Sequence, residues 1–342
     1  MWYSRSRVRV QVTGAGRVNA SKIVGPSGYG RPVVEDGALI EARGLVKRFG
    51  GLTAVDGIDV EVRAGEAFGF LGPNGAGKSS TMRMIGCVSA PSGGSLRILG
   101  MDPVRDGPKI RARLGVCPQQ DSLDPELTLM ENLTVYARYF GIPRRVARER
   151  ARELLEFMQL AERAGEAVEP LSGGMKRRLT IARALVNEPE IVLLDEPTTG
   201  LDPQARHLVW ERLFRLKQRG VTLVLTTHYM DEAEQLCDRL VVMDGGKIVA
   251  EGSPRELIER YSTREVLEVR FGADALDSFA GKLAGVGERL EVLPDRILIY
   301  AADGDAATAE VHRRQLTPAS TLVRRSTLED VFLHLTGRTL VD

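Results

Sequence analysis

The stretch Ala67-Phe68-Gly69-Phe70-Leu71-Gly72-Pro73-Asn74-Gly75-Ala76-Gly77-Lys78-Ser79 decides the fold of this chain. Its first five residues form an apolar run that predicts a buried strand, and the pattern Gly-x-x-x-x-Gly-Lys-Ser follows at once. The residues from Ser79 to about Cys87 predict a helix. A glycine loop between a strand and a helix lets backbone N–H groups converge on phosphates at the helix start. The stretch therefore predicts an α/β domain that binds a nucleoside triphosphate.

The glycine loop, Gly72–Ser79, has distinct predicted roles along its length. Lys78 is expected to reach the β- and γ-phosphates, and the Ser79 hydroxyl is expected to bind Mg²⁺. Ser80 stands beside this metal ligand, at a position where threonine is common. The residues predicted to contact the nucleotide are Gly72, Pro73, Asn74, Gly75, Ala76, Gly77, Lys78, Ser79 and Ser80.

A second apolar run, Ile191–Leu194, ends in two carboxylates, Asp195 and Glu196. Asp195 is expected to hold Mg²⁺, directly or through water, and Glu196 to polarise the water that attacks the γ-phosphate. Two solvated acids at a strand end are the alternative. That alternative leaves the four apolar residues before Asp-Glu-Pro unexplained in a chain with a glycine loop.

The sequence Leu171-Ser172-Gly173-Gly174-Met175 precedes a predicted helix over 173–187. Ser172 and the N–H groups of Gly173 and Gly174 form a second anion site at this helix start. The glycine loop already surrounds the phosphates of its own subunit. The second site is therefore predicted to face a nucleotide bound to another copy, in a head-to-tail dimer.

Residues 39–257 resemble the nucleotide-binding subunits of ATP-binding-cassette (ABC) transporters, with the motifs in the family's order. Leu171–Met175 is similar to the family's signature loop. The resemblance implies that Gln119 is the Q-loop glutamine that contacts Mg²⁺, that Asp202 lies in the D-loop, and that His228 is the switch histidine at the γ-phosphate. It also implies that Phe49, 23 residues before Gly72, stacks on adenine. Lys78, Glu196 and His228 are then the catalytic residues, and Ser79, Gln119 and Asp195 the metal ligands.

The implied fold is a P-loop NTPase cassette, with a mixed sheet core, an antiparallel β subdomain and a helical subdomain over about 121–186. The cassette is assigned to residues 38–262 and a small α+β accessory domain to 263–342. Residues 1–37, with six basic and two acidic side chains, are assigned to a disordered extension. Strands are expected over 39–43, 58–62, 96–100, 113–117, 222–225, 240–243 and 247–250, and helices over 128–140, 144–161 and 204–219. In the tail, strands are expected over 266–271, 290–293, 297–300 and 321–323, and helices near 274–284, 304–314 and 327–336.

Met175 stands where much of the family has glutamine, and Lys176-Arg177-Arg178 follow it. This pattern resembles the daunorubicin-resistance-type and nodulation-type export ATPases. That branch implies a separate permease of the ABC-2 type as partner. The cargo stays open among drugs, lipid-linked sugars and antibiotics. A soluble ATPase that acts as an ATP-dependent dimerisation switch in translation or DNA repair is the alternative function.

The net charge of +1 over 342 residues gives no strong field toward nucleic acid, so no nucleic-acid partner is expected. No apolar run approaches the ~20 residues that span a bilayer. The chain is therefore expected to be cytosolic and to reach the inner face of the cell membrane through its permease.

Overall fold

The computed structural model describes residues 37–271 and 276–337. The predicted disordered extension over residues 1–37 lies outside the described residues, apart from Gly37. Between residues 38 and 252 the strands are β1 (Ala38–Phe49), β2 (Leu52–Arg63), β3 (Ala67–Leu71), β4 (Gly93–Ile98), β5 (Leu114–Cys117), β6 (Ile191–Asp195), β7 (Thr222–Thr227), β8 (Arg239–Asp244) and β9 (Lys247–Gly252).

These strands form two sheets. The larger sheet has the order β5-β6-β7-β3-β8-β9. Its first five strands, β5, β6, β7, β3 and β8, are parallel, and β9 is antiparallel at one edge. The smaller sheet, β2-β1-β4, is antiparallel, and a turn at Gly50-Gly51 joins β1 to β2. The continuous apolar runs of β3 and β7 are buried on both faces, as parallel strands in the middle of a sheet require.

The helices between residues 78 and 261 are α1 (Lys78–Ile85), α2 (Gly107–Arg111), α3 (Leu129–Arg138), α4 (Arg144–Phe157), α5 (Gly173–Ala184), α6 (Pro203–Gln218), α7 (Met230–Leu236) and α8 (Pro254–Tyr261). Helices α3, α4 and α5 fall within the segment predicted to be helical. Alternate residues of the large sheet face opposite cores: Phe70 lies in the core shared with the antiparallel sheet, and Leu71 in the core shared with α3 to α7.

The tail contains a third, antiparallel sheet of order β11-β12-β10-β13. Its elements are β10 (Glu265–Arg270), α9 (Leu276–Leu283), β11 (Arg289–Val292), β12 (Ile297–Ala301), α10 (Gly304–Arg313), β13 (Ser320–Arg325) and α11 (Leu328–Thr336). One face packs on α9 and α10, and Tyr300 and Leu298 on the other face pack against Leu333 of α11. Val331 and Phe332 of α11 lie in the main core with Leu257 of α8, so this helix ties the third sheet to the rest of the protein.

The predicted architecture, a mixed sheet with an antiparallel sheet, a helical segment and a C-terminal α+β part, is confirmed. Most predicted strands and helices agree within a few residues. The prediction missed α2 and α7, which have five and seven residues and are too short to show helical periodicity, and it also missed the eight-residue α8. Within the described residues, no helix has both the length and the apolar character that crossing a membrane requires.

Candidate functional site

The glycine loop follows β3 and leads directly into α1. A side chain at Gly72 would place its Cβ 2.3 Å from the carbonyl oxygen of Met243, and one at Gly77 would place it 2.4 Å from that of Ala54. Gly77 also has a φ of 101°, which residues with a Cβ rarely adopt. Gly75 has a φ of 82° and open space where its Cβ would lie. These glycines give the loop the shape and the clearance that a phosphate cradle needs.

Lys78 lies against the loop that precedes it. Its Nζ donates to the carbonyl oxygens of Gly72, at 2.6 Å, and Pro73, at 3.0 Å. Burial lowers the pKa of Lys78, and the charges of Glu196 and Asp195 oppose that shift. The ammonium group therefore lies at the glycine loop and within the field of both carboxylates.

The structure brings together Ser79 and Asp195, both predicted to hold Mg²⁺. Ser79 Oγ lies 3.2 Å from Asp195 Oδ1, and the Thr226 hydroxyl donates to the same oxygen at 2.5 Å. Asp195 pairs with Thr226 because β6 and β7 are parallel neighbours in this register. Hydroxyl and carboxylate oxygens are the hard donors that Mg²⁺ prefers. The residues present therefore fit a magnesium ion.

Glu196 is the point where several of the predicted elements meet. Its Oε2 accepts hydrogen bonds from Gln119 Nε2, at 2.9 Å, and from Thr199 Oγ1, at 3.1 Å. His228 Nδ1 lies 3.3 Å from Oε1, an electrostatic contact without the geometry of a hydrogen bond. His228 is the main cause that holds the pKa of Glu196 below its usual range, whereas burial acts to raise this pKa. The carboxylate is therefore ionised at neutral pH and lies among polar groups from three loops.

The backbone of Glu196 is strained. Its φ is 46°, in the left-handed region that favours glycine. Its N–H donates to the Thr226 carbonyl oxygen at 3.1 Å and to the Thr226 hydroxyl at 3.0 Å. Such conformations cost about 1–3 kcal/mol and persist where the surroundings hold them. Thr226 thus fixes both acids, through the Asp195 carboxylate and the Glu196 main chain.

The signature loop lies at the start of α5. The Ser172 hydroxyl caps this helix by accepting from the Met175 N–H at 3.3 Å. A Cβ at Gly174 would lie 2.7 Å from Ala205 Cβ, so this loop packs against the start of α6. Asp202 caps α6 through the Ala205 N–H at 2.9 Å. In the part of the chain that the structure describes, the Ser172 side chain makes no hydrogen bond to the glycine loop.

Phe49 ends β1 with 48% of its surface exposed, and Lys47 Nζ lies 4.9 Å from its ring centroid. No described contact joins the ring to the glycine loop. Its stacking on adenine stays a prediction.

Sequence analysis missed Thr226 and Thr199. Thr226 follows the apolar run of β7 and touches Asp195 only because β6 and β7 are neighbours. That adjacency depends on strand order, which the local pattern does not reveal. Thr199 lies three residues after Glu196, in a turn.

Comparisons with known proteins bear on both parts of the chain. The family model described as ABC transporter matches residues 55–199. The model described as the C-terminal domain of the nodulation factor export protein NodI matches residues 276–337.

Curated relatives cover most of the chain. The chain is 46% identical over 311 residues to the Nod factor export ATP-binding protein I of Cupriavidus pinatubonensis, covering 91% of this chain and 94% of that protein. It is 48% identical over 305 residues to the protein of the same name in Paraburkholderia xenovorans, covering 89% of this chain and 99% of that protein.

Solved structures are similar over the cassette. A dimeric ATP-binding cassette in a post-hydrolysis state with ADP and Pi is 29% identical, with a TM-score of 0.58, over 63% of this chain and 98% of that chain. The cbiO1 protein of Clostridium perfringens, part of an ABC transporter complex, is 28% identical, with a TM-score of 0.61, over 66% of this chain and 92% of that chain.

Proposed function

The chain belongs to the family of ABC transporter ATP-binding subunits, in its NodI-type branch, and on that premise we propose that two copies close around two ATP molecules to drive a separate export permease. Members of this family bind and hydrolyse ATP, and the chain is an ATPase of this kind. The soluble alternative in translation or repair loses its support, because the matching family and the relatives are transport proteins.

The convergence on Glu196 is the observation that carries this proposal. The carboxylate accepts from Gln119 and lies beside His228, while Ser79 and Asp195 meet beside it. We assign Glu196 the role of orienting the attacking water. Its lowered pKa keeps it ionised and able to accept a hydrogen bond from that water. His228 would hold the carboxylate and contact the γ-phosphate.

The metal would be held by Ser79, Asp195 and the Gln119 side-chain oxygen. Bound Mg²⁺ would neutralise charge on the β- and γ-phosphates. Lys78 would exchange its bonds to the Gly72 and Pro73 carbonyls for bonds to phosphate oxygens. The exchange avoids an unpaired buried ammonium in either state, because the group always has acceptors.

The head-to-tail dimer is proposed from the second predicted anion site, at the start of α5. The Ser172 hydroxyl caps α5, and Gly173 leaves open space at the helix start. A second copy placed head-to-tail would bring this helix start to the γ-phosphate held by the first copy's glycine loop. Asp202, at the start of the adjacent α6, would lie at the same interface.

This chain has a groove next to Gln119 that is a candidate docking site for the permease. A cavity of about 420 Å³ lies between the end of β5 and α3, and its walls include Val116, Pro118, Val135 and Tyr139. Val116, Val135 and Tyr139 are exposed apolar side chains. A cytoplasmic segment of an ABC-2-type permease with apolar side chains would cover them. A permease segment in the groove would contact Pro118 and could thereby move Gln119, the next residue. Binding of this segment would also place the subunit on the inner face of the membrane.

The exported compound is proposed from the relatives. The curated relatives are named for Nod factor export, and the tail matches the NodI C-terminal model. We therefore assign the permease a cargo of the Nod factor class.

Trapping the dimer tests the ATPase proposal. Glu196→Gln should bind ATP, lose hydrolysis and accumulate as a dimer with MgATP in light-scattering chromatography. Adding Ser172→Arg to Glu196→Gln should leave ATP binding intact and restore the monomer. A dimer that persists in the double variant would remove the in-trans role of the signature loop. Coexpression with an ABC-2-type permease then tests the exporter assignment, since Tyr139→Asp should release the subunit from membranes without changing its own ATP binding.

A further inference from the structure

Arg177 belongs to the basic run after Met175, which the sequence suggests only as a mark of the export branch. The structure gives it a different position. Arg177 is on the buried side of α5 with 4% of its surface exposed, and its guanidinium points at the loops that follow β5 and β6. The nearest carboxylate oxygen, Oδ1 of Asp121, is 3.8 Å away. The charge is therefore compensated mainly by carbonyl dipoles.

The guanidinium uses its full set of five N–H donors on main-chain carbonyls. The Nε donates to Pro197 at 2.7 Å, and Nη1 donates to Pro118 at 2.5 Å and Gln119 at 3.3 Å. The Nη2 donates to Asp195 at 2.8 Å and Glu196 at 2.9 Å. One side chain of α5 thus joins the loop that carries Gln119 to the loop that carries Glu196.

This arrangement acts on the strained part of the site. The left-handed φ of Glu196 needs outside support, and its N–H and carbonyl are held by Thr226 and Arg177 respectively. The planar fork of arginine suits several fixed acceptors at once. A lysine has three donors on a flexible stem and a glutamine has two, so neither can satisfy five carbonyls.

We propose that Arg177 is a positioning residue for ATP hydrolysis, which fixes the main chain of Glu196 and Gln119 to the helix that begins at the signature loop. The inference rests on the proposed role of Glu196. Among the residues that the structure describes, the Arg177 side chain makes no hydrogen bond to the glycine loop or to His228. The Arg177 side chain links α5 to the Gln119 loop and the Glu196 loop, so that the three move together. Movement of the signature loop when the dimer closes or opens would then shift the Glu196 carboxylate.

The test compares Arg177→Gln with Arg178→Gln in the full chain. Arg178 is the next residue on α5 and donates to the carbonyl oxygens of Met158 and Gln159, away from the site. We expect Arg177→Gln to lower kcat at least tenfold while the Kd for a fluorescent ATP analogue stays within threefold, because the glycine loop is untouched. Arg177→Lys should lie between this variant and the wild type. Arg178→Gln should keep kcat within twofold.

A kcat for Arg177→Gln within twofold of that of Arg178→Gln would overturn the proposal. If circular dichroism shows that Arg177→Gln does not fold, the kcat of Arg177→Lys is the test instead. A wild-type kcat in Arg177→Lys, or a failure of that variant to fold, also overturns the proposal. Glu196→Gln is measured in parallel. Wild-type turnover in Glu196→Gln would refute the role of Glu196 itself. Loss of turnover in Glu196→Gln together with normal turnover in Arg177→Gln would refute only the positioning role of Arg177.

Discussion

The contact between the starts of α5 and α6 allows a quantitative test of the signature loop's position. A Cβ at Gly174 would lie 2.7 Å from Ala205 Cβ, whereas carbon atoms in contact prefer roughly 3.5–4.0 Å. Gly174→Ala must therefore push the two helix starts apart by roughly 1 Å. Overpacking of this kind costs about 1–3 kcal/mol, and removing a helical glycine returns up to about 1 kcal/mol. We expect a net loss of about 1–2 kcal/mol of unfolding free energy and a fall in ATPase activity.

Ala205→Gly supplies the compensating change. It removes the clashing methyl group, and the Ala205 Cα, 3.9 Å from the new Cβ, stays at an ordinary contact distance. Alone it should cost at most about 1 kcal/mol as a glycine in a helix. The double variant should be more stable than the two single losses predict, with a coupling free energy of about 1–2 kcal/mol. The assay is urea unfolding of all four proteins, alongside MgATP turnover.

Gly173→Ala is the matched control for stability, because its Cβ would meet nothing within 4 Å. It should leave the unfolding free energy unchanged or raise it by up to about 1 kcal/mol, because it replaces a helical glycine without a clash. Additive losses for Gly174→Ala and Ala205→Gly, within about 0.5 kcal/mol, would refute the packing of the signature loop on α6.

Three further predictions concern other parts of the molecule. Burial raises the pKa of Glu232, so its contribution to stability is present below the ordinary value of 4.5 and is lost as pH rises through the folded value. Glu232→Gln, which keeps the acceptor for Thr198 and Trp210, should therefore gain stability relative to the wild type in thermal melts as pH rises above 4.5. A stability difference that stays constant with pH would contradict this. Asp330→Asn breaks the two-point pair with Arg324 and should cost about 3 kcal/mol in urea unfolding, while a loss below about 1 kcal/mol would refute the pairing. Phe49→Ala should weaken ATP binding by about tenfold with little change in melting temperature, as base–aromatic stacking implies, whereas Leu52→Ala, also exposed at the same turn, should leave binding unchanged in equilibrium titration.

Sequence alone predicted the elements whose local pattern is unambiguous. The apolar runs 67–71, 191–194 and 222–225 became strands because both faces of each strand are buried. The glycine loop followed from its pattern, and the strands predicted over 240–243 and 247–250 are joined by a turn at Gly245-Gly246, with both glycines at positive φ.

The remaining part of the site depends on contacts between distant segments. Thr226 reaches Asp195 only because β6 and β7 are adjacent, and local periodicity does not encode strand order. Arg177 is a charged residue on a helix, and charged side chains usually face water. Arg177 is buried because the ends of β5 and β6 lie next to α5, and the local sequence does not encode this contact.

The way α11 closes the fold limits how this gene can be cut and recombined. The first N–H of that helix, from Leu328, donates to Glu234 of α7 at 2.7 Å, and α7 begins two residues after His228. Val331 and Phe332 fill the core beneath α8. A reading frame stopped after Tyr261 would therefore encode a protein with an exposed apolar face on α7 and α8, a few residues from His228. Chimeras that exchange specificity among such exporters should keep α7, α8 and α11 from the same parent.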